Sequence, residues 1–206
     1  MNRGFTLIEL LVSLAIFVSM TALVVAKYGT FNQSTLLTDT GYDIALVVRL
    51  AQSYGLSVKN AGASGSQNFV VPYGVDLYRT AGGAACGGAT SGPSSIILFA
   101  DASPVGAPDG ACGASDTSVS TYVITGGATL SNLCVGTDAA SCHQPSNSVT
   151  RLDISFLRPN PESIICAGNG GTPVCGYTYA ELTIVGSDGS TRTVSVRQNG
   201  QISIQH

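Results

Sequence analysis

The 206 residues include 9 Lys and Arg against 12 Asp and Glu, a formal net charge of −3, and only 10% of them are charged. An average soluble domain carries roughly 25%, so the chain draws little solubility from charge and has no global basic field to hold nucleic acid. With 25 glycines and frequent Ser and Thr, the texture is that of an exported, loop-rich β protein rather than a cytosolic enzyme.

The first element runs from Phe5 to Ala26, FTLIELLVSLAIFVSMTALVVA, 22 residues with one charge, Glu9. A helix of that length spans about 33 Å, close to a bilayer core. Arg3 on the short side favours a cytoplasmic N-terminus, and Lys27 at the far end weakens that preference. A secretory signal peptide cut near Val24-Val25-Ala26 is one alternative. It requires an unusually long apolar region with an acid inside it. A plain single-pass anchor is another, and it leaves Glu9 unexplained. An acid in a membrane segment costs a few kcal/mol on insertion scales and is by default a functional candidate. The local explanation is a capping box, Thr6-Leu7-Ile8-Glu9. The wider one is a cationic partner, and no basic residue lies between Arg3 and Lys27.

Gly4-Phe5-Thr6-Leu7-Ile8-Glu9-Leu10-Leu11-Val12 resembles the N-terminal signature of type IV pilins and pseudopilins. The resemblance covers about the first thirty residues: a Gly, an aromatic start, an acid at a fixed offset and a long apolar helix. It implies cleavage after Gly4 by a prepilin peptidase and N-methylation of Phe5. Glu9 is then the assembly residue that pairs with the N-terminal amine of an adjacent subunit. Residues 1–4 become a leader peptide, shorter than is common in the family, and residues 5–26 the transmembrane and assembly helix. The implied partners are other pilin or pseudopilin subunits, the peptidase, an inner-membrane assembly platform, and membrane lipid before assembly.

Residues 27–60 read as an amphipathic continuation of the helix. Leu46, Leu50 and Tyr54 form one apolar stripe, and Ile44, Val47, Ala51 and Val58 an adjoining one. Gly29 and Gly41 are weak points in helix propensity, and Asp39 or Thr40 could cap a restart. In pilins this part of the helix packs on a β-sheet.

From residue 61 to residue 206 the chain reads as a β-rich head. AGASGSQ, residues 61–67, is a loop, and NFVVPYGVDLY follows as a strand that Pro72 marks as an edge or an interruption. The Gly-rich stretch around Cys86 is a poor candidate for regular structure. Strands are expected at Ser95–Phe99 and Ser120–Ile124, then at Arg151–Leu157 with Leu152, Ile154 and Phe156 on one face. Tyr179–Val185 and Thr191–Gln198 follow, and Asn199-Gly200 signals a hairpin into Gln201–Ile204. A long helix followed by antiparallel strands is an α+β order. Together with the helix segment Ala51–Ser57, this strand series is loosely similar to the H-type minor pseudopilins and related minor pilins.

The six cysteines, Cys86, Cys112, Cys134, Cys142, Cys166 and Cys175, all follow the apolar segment. Export makes them disulfide candidates. Six allow 15 connectivities, and pairing of sequence neighbours is expected because each bond would staple one Gly-rich loop. A zinc site on Cys142 and His143 lacks the usual paired spacing. His143 and His206 are the two histidines, and no nucleophile elbow or P-loop accompanies them, so neither catalysis nor a cofactor is expected. Asp101, Asp109 and Asp116 read as exposed turn aspartates rather than a calcium site. Arg192 and Arg197 fall on opposite faces of a terminal strand, too few for a nucleic-acid stripe. The expected function is a structural subunit of a type IV pilus or a type II secretion pseudopilus. The alternative is a minor, tip-located pilin that binds a ligand such as DNA. The expected location is a single-pass membrane protein with a cytoplasmic N-terminus, then a periplasmic or extracellular filament.

Overall fold

A computed structural model describes residues 4–57, 59, 71–83, 85–102, 109–144 and 148–205. Leader residues 1–3, the stripe position Val58, the 61–67 loop, the first part of the strand proposed from residue 68, and His206 lie outside the described residues.

The long helix α1 runs without a break from Leu7 to Leu56. Neither glycine interrupts it, and Thr40 does not cap a restart. Its hydroxyl donates to the Leu36 carbonyl at 2.8 Å, one turn back. The buried face is Leu37, Gly41, Ile44, Ala45, Val48, Ala51 and Gly55. Of the expected stripe of Leu46, Leu50 and Tyr54, the two leucines point outward, at 60% and 40% exposed, and Tyr54 packs against the core, as do Ile44, Val47 and Ala51 of the adjoining stripe. The reason is steric. The glycines and alanines let the helix approach the sheets closely, and such small residues add little to a hydrophobic pattern. At Gly55 an added Cβ would fall 2.2 Å from the Phe156 carbonyl oxygen.

The head contains strands β1 (Tyr73–Tyr78), β2 (Ala85–Cys86), β3 (Ala89–Thr90), β4 (Ser95–Ala100), β5 (Thr117–Val123) and β6 (Thr129–Gly136). A short helix α2 (Ala139–Cys142) precedes β7 (Ser148–Val149), β8 (Arg151–Phe156), β9 (Ser163–Gly168), β10 (Val174–Tyr177), β11 (Tyr179–Val185), β12 (Thr191–Arg197) and β13 (Ile202–Gln205). One sheet has the order β10-β9-β8-β1-β4-β5, a second β13-β12-β11-β6-β7, and β2 with β3 forms a small hairpin. All pairings are antiparallel. The long helix followed by antiparallel sheets is an α+β, pilin-like arrangement.

Both sheets and the helix share one core. Val75, Leu77, Leu98, Leu152, Ile154 and Phe156 come from the first sheet. Leu133, Val135, Leu182, Ile184, Val194 and Val196 come from the second, and Leu37, Ile44, Val48 and Ala51 from α1. Strand β1 is central rather than an edge, paired to β4 and β8. Pro72 precedes the ladder, where its missing N–H costs nothing, and its carbonyl accepts from the Asp101 amide at 3.0 Å. Around Cys86 the Gly-rich sequence does form the β2–β3 hairpin, turned by Gly87 and Gly88 at positive φ. The last hairpin has Gln198–Gly200 as its loop, closed by the Arg197 amide on the Gln201 carbonyl, with Gly200 left-handed. That is the turn-plus-αL form rather than the tight two-residue form.

Disulfides join Cys86 to Cys112, Cys134 to Cys142 and Cys166 to Cys175.

Candidate assembly site at the N-terminus

The site begins with local capping. Thr6 is extended at φ −82° and ψ 149°, and its hydroxyl accepts from the Glu9 amide at 3.4 Å. The Glu9 carboxylate lies 3.4 Å from the same hydroxyl. One half of the capping box is therefore present. Among the described bonds the carboxylate rests on the hydroxyl and does not reach back to the Thr6 amide. Glu9 is exposed and forms no ion pair with any described residue.

Every residue from Gly4 to Gly29 is exposed, including Phe5 and Leu7 at 76% and 79%. The polar residues of this stretch satisfy themselves within the helix. Ser13 donates to the Glu9 carbonyl at 2.7 Å, Ser19 to Ile16 at 2.9 Å, and Thr21 to Phe17 at 2.8 Å. From Phe5 to Ala26 the outer surface is then apolar apart from Glu9, and Lys27 is exposed just beyond. The helix is long and apolar enough to cross a membrane, and this stretch buries nothing against the head. In an apolar medium an acid without a cation is the group with most to gain from a partner.

Elsewhere the chemistry is structural. Cys142 is bonded to Cys134, which removes it from the zinc pair considered above. His143 Nε2 sits 3.0 Å from Glu181 Oε1, and Glu181 Oε2 accepts from the Tyr179 hydroxyl at 2.8 Å. Asp101 and Asp116 are not exposed turn residues. They are buried, while Asp109 is exposed. Four carboxylates hold four successive amides of one loop. Gly110 donates to Asp101 at 2.9 Å, Ala111 to Asp109 at 2.9 Å, Cys112 to Asp153 at 3.0 Å, and Gly113 to Asp116 at 2.6 Å. The alternation of strand β8 could have pointed to Asp153, because Arg151, Asp153 and Ser155 share its second face.

Arg192 reaches α1, with Nε 3.3 Å from the Thr38 hydroxyl and Nη2 3.3 Å from that of Ser34. Arg197 lies over the Tyr179 ring at 5.3 Å. The two arginines serve different contacts and form no common stripe. On the other flank the Tyr122 hydroxyl donates to Asp43 of α1 at 3.1 Å. Burial, reinforced by the Asp43 carboxylate, pushes this phenol up to about 12.

The arrangement defines a class: a helix long and apolar enough to cross a membrane, carrying a disulfide-bonded β head. Residues 1–25 match the family model of the prokaryotic N-terminal methylation motif, the signal of type IV pilins and pseudopilins. No curated protein and no solved structure matches the chain.

Proposed function

We propose that this chain is a structural subunit of a type IV pilus or secretion pseudopilus. A prepilin peptidase cuts after Gly4, Phe5 becomes the methylated N-terminus, and the subunit leaves the membrane to assemble through α1. The observation that carries this reading is the apolar rod from Phe5 to Ala26, exposed throughout, with one acid near its start. Lipid covers such a surface before assembly, and neighbouring helices cover it afterwards. Glu9 then meets the amine of an adjacent Phe5, a pairing strengthened by low dielectric and reduced by desolvation. Exposed Leu46 and Leu50 extend the apolar surface along α1 into the head, so neighbouring subunits contact both halves of the helix. The cytoplasmic N-terminus and the filament location follow from the same reading.

Glu9→Gln tests it. The Thr6 hydroxyl caps the Glu9 amide whatever that side chain is, so the helix and its insertion are preserved. The expected result is an unchanged amount in membranes and a sharp fall in sheared filaments from the same cells. A normal filament yield would show that Glu9 has no part in assembly.

A further inference from the structure

The first sheet holds a charge imbalance that the assembly reading does not use. Asp76 of β1 and Asp153 of β8 stand directly opposite each other, and both are 0% exposed. Between them lies Arg151, its Nε 3.3 Å from Asp76 Oδ1 and 2.7 Å from Asp153 Oδ2. Two buried carboxylates thus face one guanidinium. The lateral neighbours on the flanking strands carry no charge: Ile97 of β4 lies beside Asp76, and Cys166 of β9, held in a disulfide, beside Asp153. The disulfide Cys86–Cys112 packs over this face with Ile97 and Phe99. Other titratable groups nearby add no cation: Tyr78 has its ring 5.5 Å from the guanidinium, and Asp101, Asp109 and Asp116 anchor the adjoining loop. Among the described residues a second full negative charge here has no second cation to balance it, and a buried acid in that position is more stable protonated.

We infer that Asp76 and Asp153 hold one proton between them, and that this neutral unit latches the 109–113 loop and the β2–β3 region onto the sheet. The connections are direct. Asp153 Oδ1 accepts from the Cys112 amide at 3.0 Å, and Arg151 Nη2 donates to the Cys112 carbonyl. Asp76 Oδ2 accepts from the Ser91 hydroxyl, just beyond β3, at 2.5 Å. Burial raises both carboxyls, Asp153 well above the ordinary carboxylate range, with the charge of Asp76 adding to its rise. With folded values above unfolded ones, the stabilisation is complete in acid and is lost as pH rises through the folded values.

The test is a site-resolved carboxyl titration by carbon NMR on the full chain in detergent micelles, for the parent and for Asp76→Asn. The parent pair is expected to titrate in two steps, the upper one well above the ordinary carboxylate range. In Asp76→Asn the amide can donate to Asp153 as the shared proton does, so the upper step vanishes and Asp153 stays ionised beside Arg151. The parent's Tm falls across the upper step, and the variant's does not. Two carboxyls that both titrate in or below the ordinary range overturn the inference, as does an upper step that survives in the variant. Should the variant fail to fold, the parent titration alone decides.

Discussion

The close passage of α1 over β8 makes opposite predictions for two glycines on one helix face. Replacing a mid-helix glycine by alanine gains about 1 kcal/mol from helix propensity. At Gly41 the new Cβ meets Ile204, Arg192 and Ile184 side chains at 3.7–3.9 Å, ordinary contact. Gly41→Ala is therefore expected to stabilise by up to about 1 kcal/mol, raising Tm by roughly 2–4 °C for a chain of this size. At Gly55 the new Cβ would lie 2.2 Å from the Phe156 carbonyl oxygen and 2.9 Å from its carbon. Those are backbone atoms in a paired strand, and they cannot move aside as a side chain could. The helix must instead lift, loosening Val48 and Ala51 from the core and stretching the 3.2 Å bond from the Arg158 amide to the Gly55 carbonyl. Overpacking costs about 1–3 kcal/mol and sometimes more. Because backbone is the obstacle, a net loss of about 2 kcal/mol is expected even after the propensity gain, or roughly 4–8 °C in Tm. Thermal unfolding of the full chain and both variants in the same detergent measures this. A Gly55→Ala protein as stable as its parent would refute the close approach, and a Gly41→Ala protein equally damaged would refute the difference between the sites.

Two further outcomes follow from the head. Breaking Cys86–Cys112, which spans a sequence separation of 26, should cost more than breaking Cys134–Cys142, which spans 8; loop-closure entropy gives about 3.5 against about 2.5 kcal/mol, and denaturant unfolding of the two double-Ser variants measures the order. Tyr122 should ionise near 12, so its contribution is intact below the ordinary tyrosine value of about 10 and lost as pH rises through the folded value; spectroscopic tyrosinate titration should lose one late-ionising tyrosine in Tyr122→Phe, while Tyr73 and Tyr179, which burial also raises, still ionise late.

What was legible in the sequence divides by physical cause. The apolar helix and its acid are contiguous, so the membrane element and the N-terminal signal can be read without tertiary knowledge. The strands Arg151–Phe156, Tyr179–Val185 and Thr191–Arg197 alternate cleanly, because one face of each meets the core. Strand β6 was hidden by a bulge: its pairing with β11 shifts between Thr183 and Ile184, so the inward residues Leu130 and Leu133 are three apart rather than two. Strand β10 is short, and both it and β9 carry Cys and Gly next to Gly-rich sequence, which passes for loop. The inward helix face was read in part, since Ile44, Val47 and Ala51 of one expected stripe meet the core; its centre was missed because Gly41, Ala45 and Gly55 lie on it, while larger Leu46 and Leu50 face out. Asp101 and Asp116 were misread, unlike the exposed Asp109, because carboxylates in Gly-rich sequence ordinarily mark turns. Here they receive the amides of a loop folded over the sheet, a long-range arrangement that no local pattern announces.

The central claim is that the chain is cut after Gly4 and assembled through the helix that begins at Phe5. Mass spectrometry of the N-terminal peptide from membrane and filament fractions tests it most directly. The account predicts a peptide that begins at Phe5 and carries one methyl group on its amine. A mature chain beginning at Lys27, or one that keeps Met1 to Gly4 within filaments, would contradict it.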